Sequence, residues 1–240
     1  MIDIINVRCP ECGSNFSIDM YTGEEARNSD GVLTRRSSQN INWAEIASEI
    51  HNGYANAILS VGDTISFNLK DGRKVRVAVA AIDLYKPNSA VFVFDDIYWK
   101  EPMNQRATNR GGWANSHMAR FLRDEILPLL PDELVGVIKS REIVQTISDE
   151  KFNYTGKLWL PSLTEVGAKD SPVTETGDKP FPIFSGERSR VREINGETYW
   201  WWLRSPIVSS TTSFWIVGGS GYVNYGNASN AYGVCPCFII

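Results

Sequence analysis

The chain has 240 residues, of which 42% are hydrophobic and 22% are charged, as expected of a globular chain able to bury a full core. This length fits one large domain or one domain with a small appendage. The net charge of −4 and the isoelectric point near 5.3 give no electrostatic basis for a nucleic-acid partner. We see no signal peptide and no apolar run long enough to cross a bilayer. We therefore expect cytoplasmic synthesis without membrane insertion, which is also compatible with packaging into a virion.

The four cysteines form two close pairs at opposite ends of the chain. Cys9 and Cys12 lie in Cys-Pro-Glu-Cys-Gly, which has the shape of a zinc knuckle, and Cys235 and Cys237 form Cys-Pro-Cys. Without a secretion signal, this pattern favours a metal over disulfides. A closed zinc site needs four ligands, so we expect one shared structural zinc if the two ends meet. A ribbon without metal, a redox-active dithiol and inert buried thiols are the alternatives.

The first part of the chain predicts a linker, a helix and an antiparallel meander. The polar residues 21–40 indicate a linker, so we divide the chain into a Cys-knuckle segment with its linker, residues 1–40, and a domain, residues 41–240. Asn42 caps a helix that runs from Trp43 to His51. Strands are predicted for 64–69, 74–82 and 90–94.

The middle of the chain predicts two more helices separated by loops. Ser116 caps a helix that reaches Leu127, and a short helix follows from Asp132 to Ile138. We expect loops at 98–115 and 167–187, the second of them a long surface loop. The charged run 188–193 that follows is expected to be solvated.

The C-terminal region is unusual because no Asp, Glu, Lys or Arg follows Arg204. Residues 209–232 are rich in Ser, Thr, Asn, Tyr and Gly. This is the composition of a binding surface, where Tyr provides contact area and the small polar residues provide adaptable hydrogen bonds. A series of tight hairpin turns would have a similar composition.

No pattern of catalytic residues accompanies this region. The only histidines, His51 and His117, lie at helix ends, where capping or surface roles are commoner than catalysis. The sequence contains no Gly-x-Ser-x-Gly elbow and no Walker-type phosphate loop. Because no nucleophile, base and orienting group can be assembled, we expect a protein that is not an enzyme and that carries no organic cofactor.

Several short motifs occur in order along residues 42–240. They are Trp43-x-x-Ile46-Ala47, Val61-Gly62-Asp63, Met103-Asn104, Gly112-Trp113-x-x-Ser116-x-Met118, Leu129-Leu130-Pro131-x-Glu133-Leu134, Leu158-Trp159-Leu160-Pro161-Ser162-x-x-Glu165, Trp201-Trp202-Leu203-Arg204-Ser205-Pro206 and Gly233-Val234-x-Pro236-x-Phe238. In this series the chain resembles a bacterial and prophage family with a C-type-lectin-like domain, related to the formylglycine-generating-enzyme-like fold.

The resemblance implies an α+β fold of the C-type-lectin-like kind. Two or three helices would pack on antiparallel sheets, and the first and last strands of the domain would pair. Such pairing brings the chain end back towards the start of the domain, which makes a site of Cys9, Cys12, Cys235 and Cys237 geometrically possible. The family's usual ending has Arg and a small residue where this chain has the last two cysteines.

Phage members with this ending resemble variable proteins of diversity-generating retroelements. In these systems adenines of a template repeat are miscopied, so that Asn-type codons change to codons for several other residues. The resemblance implies a receptor-binding or host-surface-binding protein with a protein or cell-surface ligand. A copper-dependent thiol oxidase of the formylglycine-generating type and a structural module of a particle are the alternatives. The predicted ligand-binding residues are Ser209, Ser210, Thr211, Thr212, Ser213, Ile216, Gly218, Gly219, Ser220, Tyr222, Asn224, Tyr225, Asn227, Ser229, Asn230 and Tyr232.

Overall fold

A computed structural model describes residues 4–8, 15–19, 42–168 and 174–240. Within these residues the α-helices are α1 (Trp43–His51), α2 (Ala55–Ile58), α3 (His117–Phe121) and α4 (Asp132–Val137). The strands are β1 (Ile4–Arg8), β2 (Asn15–Asp19), β3 (Thr64–Asn68), β4 (Lys74–Ile82), β5 (Ala90–Phe94), β6 (Trp99–Pro102), β7 (Arg141–Ile147), β8 (Glu150–Gly156), β9 (Arg192–Ile194), β10 (Glu197–Tyr199), β11 (Trp201–Pro206), β12 (Ser213–Val217), β13 (Val223–Asn227), β14 (Ala231–Val234) and β15 (Cys237–Ile239).

The predicted caps of α1 and α3 are confirmed. The side chain of Asn42 accepts hydrogen bonds from the backbone amides of Ala44 and Glu45, at 3.1 and 3.2 Å. The hydroxyl of Ser116 accepts one from the amide of Ala119 at 3.0 Å. These side chains pair amides that have no partner within the helix, which fixes where each helix begins. After Phe121 the chain continues as one π-helical turn and one 3₁₀ turn before Pro131.

The four-stranded sheet has the order β15-β5-β4-β3. Its centre is apolar on both faces, since every residue of β5 is buried. The ring of Phe238 stacks on that of Phe92 at 5.1 Å between centroids, and Trp43 of α1 meets Phe92 edge-on at 6.0 Å. This aromatic packing seats β15 beside β5. The expected pairing of the first and last strands of the domain is therefore wrong for the described strands, because β3 occupies the opposite edge.

The five-stranded sheet has the order β13-β12-β11-β14-β6. It corrects the expectation of a loop over residues 98–115, because β6 pairs antiparallel with β14, from Trp99 opposite Val234 to Pro102 opposite Ala231. The short strand was missed because its Lys, Glu and Pro are typical of loops. As an edge strand it tolerates them, since one side of its backbone has no strand to bond.

The expectation that the charged run 188–193 is solvated is wrong for its two buried arginines, whereas its other charged residues are exposed. Arg190 and Arg192 are buried, and the guanidinium of Arg190 donates to the carbonyls of Val166 and Gly167 at 2.7 and 3.1 Å. In the loop before it, which was predicted to lie on the surface at 167–187, the side chains of Phe181 and Phe184 are also buried in the core. A long charged side chain can be buried when backbone carbonyls accept hydrogen bonds from its charged group. Composition alone does not indicate where this happens.

The described residues thus form an α+β fold of few helices and several antiparallel sheets, as predicted. Within these residues, no helix has both the length and the apolar composition needed to span a membrane. The predicted Cys-knuckle turn, with Cys9 and Cys12, and the linker at 21–40 lie outside the described residues. The strands β1 and β2, on either side of that turn, pair antiparallel.

Candidate functional site

The predicted ligand-binding residues lie on β12, β13 and the connections at their ends, except Tyr232, which lies on β14. β12 and β13 form an antiparallel ladder in which Trp215 is opposite Tyr225 and Ile216 is opposite Asn224. Because side chains alternate along a strand, these two pairs point to opposite faces of the sheet. We call the β12–β13 ladder, with the connections 207–212, 218–222 and 228–230, the hairpin surface.

Burial divides the predicted residues into three groups. Ile216 is fully buried and Ser213 is 7% exposed, so their side chains do not reach the surface, and Gly218 is buried as well. The exposed residues are Ser209, Thr211, Ser220, Tyr222, Tyr225, Ser229 and Asn230. The partly exposed residues are Ser210, Thr212, Gly219, Asn224, Asn227 and Tyr232.

One face of the ladder is concave and filled with aromatic rings. Trp202 meets Phe214 edge-on at 6.5 Å and Tyr232 at 4.9 Å. A Cβ placed on Gly226 of β13 would lie 2.5 Å from the ring of Tyr232, although β11 and β12 separate β13 from β14 in the strand order. The sheet must therefore curl strongly, and only glycine at position 226 leaves room for the ring.

The rim of this concave face carries the more exposed rings. Trp200 stacks on Tyr232 at 6.2 Å and meets Tyr222 edge-on at 5.9 Å. The ring of Tyr222 also lies against Gly218, where a Cβ would be 2.8 Å from it. Tyr222 is 37% exposed, so part of this residue remains available to another molecule.

The opposite face carries the most exposed aromatic ring of the region. Tyr225 is 63% exposed and stands beside the partly buried Trp215 on the neighbouring strand. Asn227 follows on the same face two residues later. The face therefore combines two aromatic rings with an amide, and no charged side chain belongs to it.

The connection between β11 and β12 is held by a buried asparagine that sequence reasoning missed. Asn109 is 4% exposed, and its side-chain amide donates to the carbonyls of Ile207, Ser210 and Ser213 at 3.0, 2.7 and 3.1 Å. Its backbone amide donates to the carbonyl of Thr211 at 2.9 Å. A loop whose carbonyls share one buried donor is fixed in shape, while its side chains remain outside.

The turn between β13 and β14 is held from the same segment. The backbone amide of Asn104 donates to the carbonyl of Ala228 at 2.9 Å, and its side-chain oxygen accepts from the amide of His117 at 2.9 Å. His117 in turn lies 2.7 Å from a carboxylate oxygen of Glu101 through its Nε2. This explains His117 as a structural residue at the start of α3.

A charged cluster lies behind β11, under the hairpin surface. Arg204 is fully buried and donates to the carboxylate of Glu165 at 2.5 Å, to the carboxylate of Asp178, and to the carbonyl of Leu160 at 2.7 Å. Arg141 donates to the same two carboxylates. We call Arg204, Arg141, Glu165 and Asp178 the Arg204 cluster.

A third carboxylate, that of Glu175, lies beside the cluster and connects further segments that are distant in sequence. The hydroxyl of Ser205 and the side-chain amide of Gln145 both donate to one oxygen of Glu175, at 2.9 and 2.7 Å. The other oxygen of Glu175 is buried and lacks a hydrogen-bond partner among the described residues. Two guanidinium groups thus face three carboxylates in a region closed to solvent, which leaves one surplus negative charge.

This imbalance explains the opposite pKa shifts of two carboxylates in the cluster. Burial alone would raise the pKa of Glu165, but Arg204 and Arg141 outweigh burial and lower it to about 2. Burial raises the pKa of Asp178 to about 6, because its two arginines are shared and Glu165 and Glu175 are close. The sequence signal for this cluster was a single Arg inside the apolar run Trp201–Pro206, since a charge in a buried strand requires partners.

The two described cysteines are both fully buried. The thiol of Cys235 is 3.6 Å from the carbonyl of Asp96, and burial raises its pKa to about 12. Cys237 lies in β15 near the Arg204 cluster, and burial raises its pKa well above the ordinary value. Within the described part of the chain, no group of three or more His, Cys, Asp or Glu side chains is arranged so that it could hold a metal ion. The predicted partners Cys9 and Cys12 lie outside that part.

The geometry defines an α+β domain with a charged interior and an uncharged, aromatic hairpin surface. A family model described as a domain of unknown function (DUF6273) matches residues 88–240, more than half of the chain, so the chain belongs to this family. No curated protein and no solved structure matches it. The matched span begins just before β5, whereas β3 and β4 complete the same sheet, so the folded unit is larger than the span.

Proposed function

We propose that this chain is a non-enzymatic ligand-binding protein with a C-type-lectin-like fold, and that the hairpin surface is its binding site. The observation that carries the proposal is the exposure of Tyr225 and Tyr222 on an uncharged ladder with a fixed framework. A ligand that contacts these rings gains apolar contact area at a low entropy cost, because tyrosine has few rotatable bonds.

The framework supports this role because it separates rigid from adaptable parts. Asn109 holds the backbone of the connection 207–213, while Ser209 and Thr211 on that connection are exposed. Binding groups on a rigid scaffold lose little freedom when the ligand arrives, which favours affinity. The ligand class that fits is a protein or cell-surface molecule with a neutral contact area.

The same separation supports a variable protein of the phage or prophage type, associated with a virion. Along the ladder, the fully buried Phe214, Ile216 and Val217 belong to the core, and the exposed positions lie on β13 and in the connections at the ends of the ladder. Changes at exposed positions leave the core intact, so many ligand specificities are compatible with one fold. The DNA beside the gene tests this point: we expect a near-copy of the codons for residues 207–232 that differs at adenines, together with a reverse-transcriptase gene.

A cell-binding experiment tests the ligand-binding proposal itself. Labelled protein is incubated with a panel of intact bacterial strains, and bound label is measured by flow cytometry. We expect binding to at least one strain, and a loss of that binding in Tyr222→Ala and Tyr225→Ala. Tyr54→Ala is the matched control, since Tyr54 is also exposed, at 58%, but lies at the start of α2. Equal binding by Tyr225→Ala, Tyr222→Ala and the wild type would sink the proposal.

The copper-dependent thiol oxidase is the second candidate, suggested by Cys235 and Cys237. Both thiols are fully buried and have raised pKa values, which disfavours the thiolate that reacts and binds metal. Copper-dependent oxidation of a cysteine peptide that is lost in Cys235→Ser would revive this candidate. The shared structural zinc stays a hypothesis, and metal analysis of the purified protein tests it: one zinc per chain, lost in Cys235→Ser, is the supporting result.

A further inference from the structure

β13 is an edge strand whose outer backbone groups can be identified. At the two ends of its ladder with β12, the carbonyl of Tyr222 accepts from Gly218 at 2.8 Å and the amide of Ala228 donates to Thr212 at 2.9 Å. Backbone groups in an antiparallel ladder alternate in direction. The amides and carbonyls of Val223 and Tyr225 therefore point away from β12, towards the open edge.

The outward amide of Tyr225 has only a local partner. It donates to the side-chain oxygen of the preceding Asn224 at 2.8 Å. A bond between neighbouring residues can be exchanged by a rotation of one side chain, so it does not close the edge. The carbonyl of Asn227, by contrast, accepts from Asn230 at 2.9 Å within the following turn. The open part of the edge is thus centred on Tyr225.

The opposite edge of the same sheet is β6, and it has features against edge pairing that β13 lacks. β6 contains Lys100, Glu101 and Pro102, and charges and proline are the features that protect sheet edges from pairing. The sequence of β13, Val-Asn-Tyr-Gly-Asn, has neither. The contrast indicates that the β13 edge is available for pairing, whereas the β6 edge is protected.

A second copy of the same chain fits this edge. In an antiparallel pair centred on Tyr225, the outward amide and carbonyl of each copy face the carbonyl and amide of the other, which satisfies both. The two Tyr225 rings then lie on one face with their Cα atoms about 5.5 Å apart. Because the strand is uncharged, no like charges meet, and aromatic pairs across strands are favourable.

We propose that two copies of this chain associate through antiparallel pairing of their β13 strands around a two-fold axis at Tyr225. The pairing joins the two five-stranded sheets into one. Trp215 and Tyr225 of both copies then form a continuous aromatic row. If the proposed function holds, this row is one binding face built by two chains, and the dimer binds a repeated ligand on a cell surface bivalently.

Sedimentation velocity of the full chain over a concentration series tests the pairing. We expect the wild type to shift from monomer to dimer as the concentration rises. Tyr225→Pro removes the central outward amide in a position that an edge strand tolerates, and it should stay monomeric. Tyr225→Lys should weaken the dimer by about tenfold or more, because two like charges then lie opposite each other. The matched control Tyr54→Lys should dimerise as the wild type does.

Amide hydrogen exchange provides the second measurement, which remains decisive if Tyr225→Pro fails to fold. In the wild type, exchange at Tyr225 should slow as the concentration rises, while exchange in β6 should not change. A wild type that is monomeric at every concentration overturns the proposal, as does a dimer that survives in folded Tyr225→Pro or a dimer of unchanged affinity in Tyr225→Lys. Cell binding measured below the dimerisation range is independent of this result, so the two proposals fail separately.

Discussion

Arg204, the last charged residue of the chain, is fully buried in β11, whereas β12 and β13 after it carry no charge and expose Tyr225. In the Arg204 cluster, each guanidinium forms ion pairs with carboxylates from other segments of the chain. The hairpin surface has no such pairing, and most of its polar side chains face outwards. Ordinary proteins have the reverse distribution, with charges outside and neutral groups inside. The buried charges therefore hold distant segments of the framework together, whereas the hairpin surface has no ion pairs of its own.

The largest effect is expected from breaking the Arg204 cluster. Arg204→Met should lower the free energy of unfolding by about 3–5 kcal/mol, because Glu165 and Asp178 then remain buried with too few positive partners. Urea unfolding followed by tryptophan fluorescence measures this change. Arg188→Met is the control, since Arg188 is exposed, and it should change stability by less than about 0.5 kcal/mol. Similar values for the two variants would contradict the role of the cluster as the framework.

An intermediate effect is expected for Asn109, which holds the connection between β11 and β12 at the hairpin surface. Asn109→Ala should cost about 1–3 kcal/mol, because three carbonyls of the connection 207–213 lose their buried donor. Hydrogen exchange should accelerate within that connection and remain unchanged in β5. Asn230→Ala, at an exposed position of the same surface, should leave both quantities unchanged. Uniform acceleration over the whole chain would argue against a local anchor.

The pH dependence of the free energy of unfolding should reflect the opposite pKa shifts of Asp178 and Glu165 in the cluster. The folded state protonates Asp178 near pH 6, while the unfolded state does so near the ordinary value of 3.8, so stability should rise as the pH falls through this window. Glu165 has the lowered pKa of about 2, against an ordinary 4.5, so stability should be lost as the pH falls below about 4.5.

Asp178→Asn should remove the rise between pH 6 and 4 and keep the loss at lower pH. Denaturant unfolding at a series of pH values measures both limbs. Asp132→Asn serves as the control, because the side chain of Asp132 is 91% exposed in its ion pair with Lys70. A rise that persists unchanged in Asp178→Asn would assign it to another group.

The smallest effect is expected at the cysteines of the described region. Cys235 and Cys237 should not react with iodoacetamide in the folded protein, because both are fully buried and burial raises their pKa values. They should react fully after unfolding in denaturant. Mass spectrometry of digested protein reads each site separately. Rapid labelling of Cys235 in the folded protein would favour the reactive-thiol alternative.

Local signals in the sequence predicted a good part of the fold. The cap at Asn42, the cap at Ser116 and the strand at 74–82 depend on neighbours within a few residues, and all three predictions are confirmed. The solvation predicted for 188–193 was wrong for its buried arginines, and the loop predicted for 98–115 was wrong for β6. Burial of Arg190 and pairing of β6 depend on segments far away in the chain.

For the candidate site, the sequence by itself determined the composition: an uncharged, tyrosine-containing stretch after Arg204. It did not determine which of these residues are outside. Tertiary structure decided that Ile216 and Ser213 are buried and that Tyr222 and Tyr225 are exposed, because the segments that cover each face of the ladder come from elsewhere in the chain. It also decided where the charge of Arg204 is balanced. Composition and periodicity are properties of neighbouring residues, whereas burial and ion pairing arise only when distant segments meet.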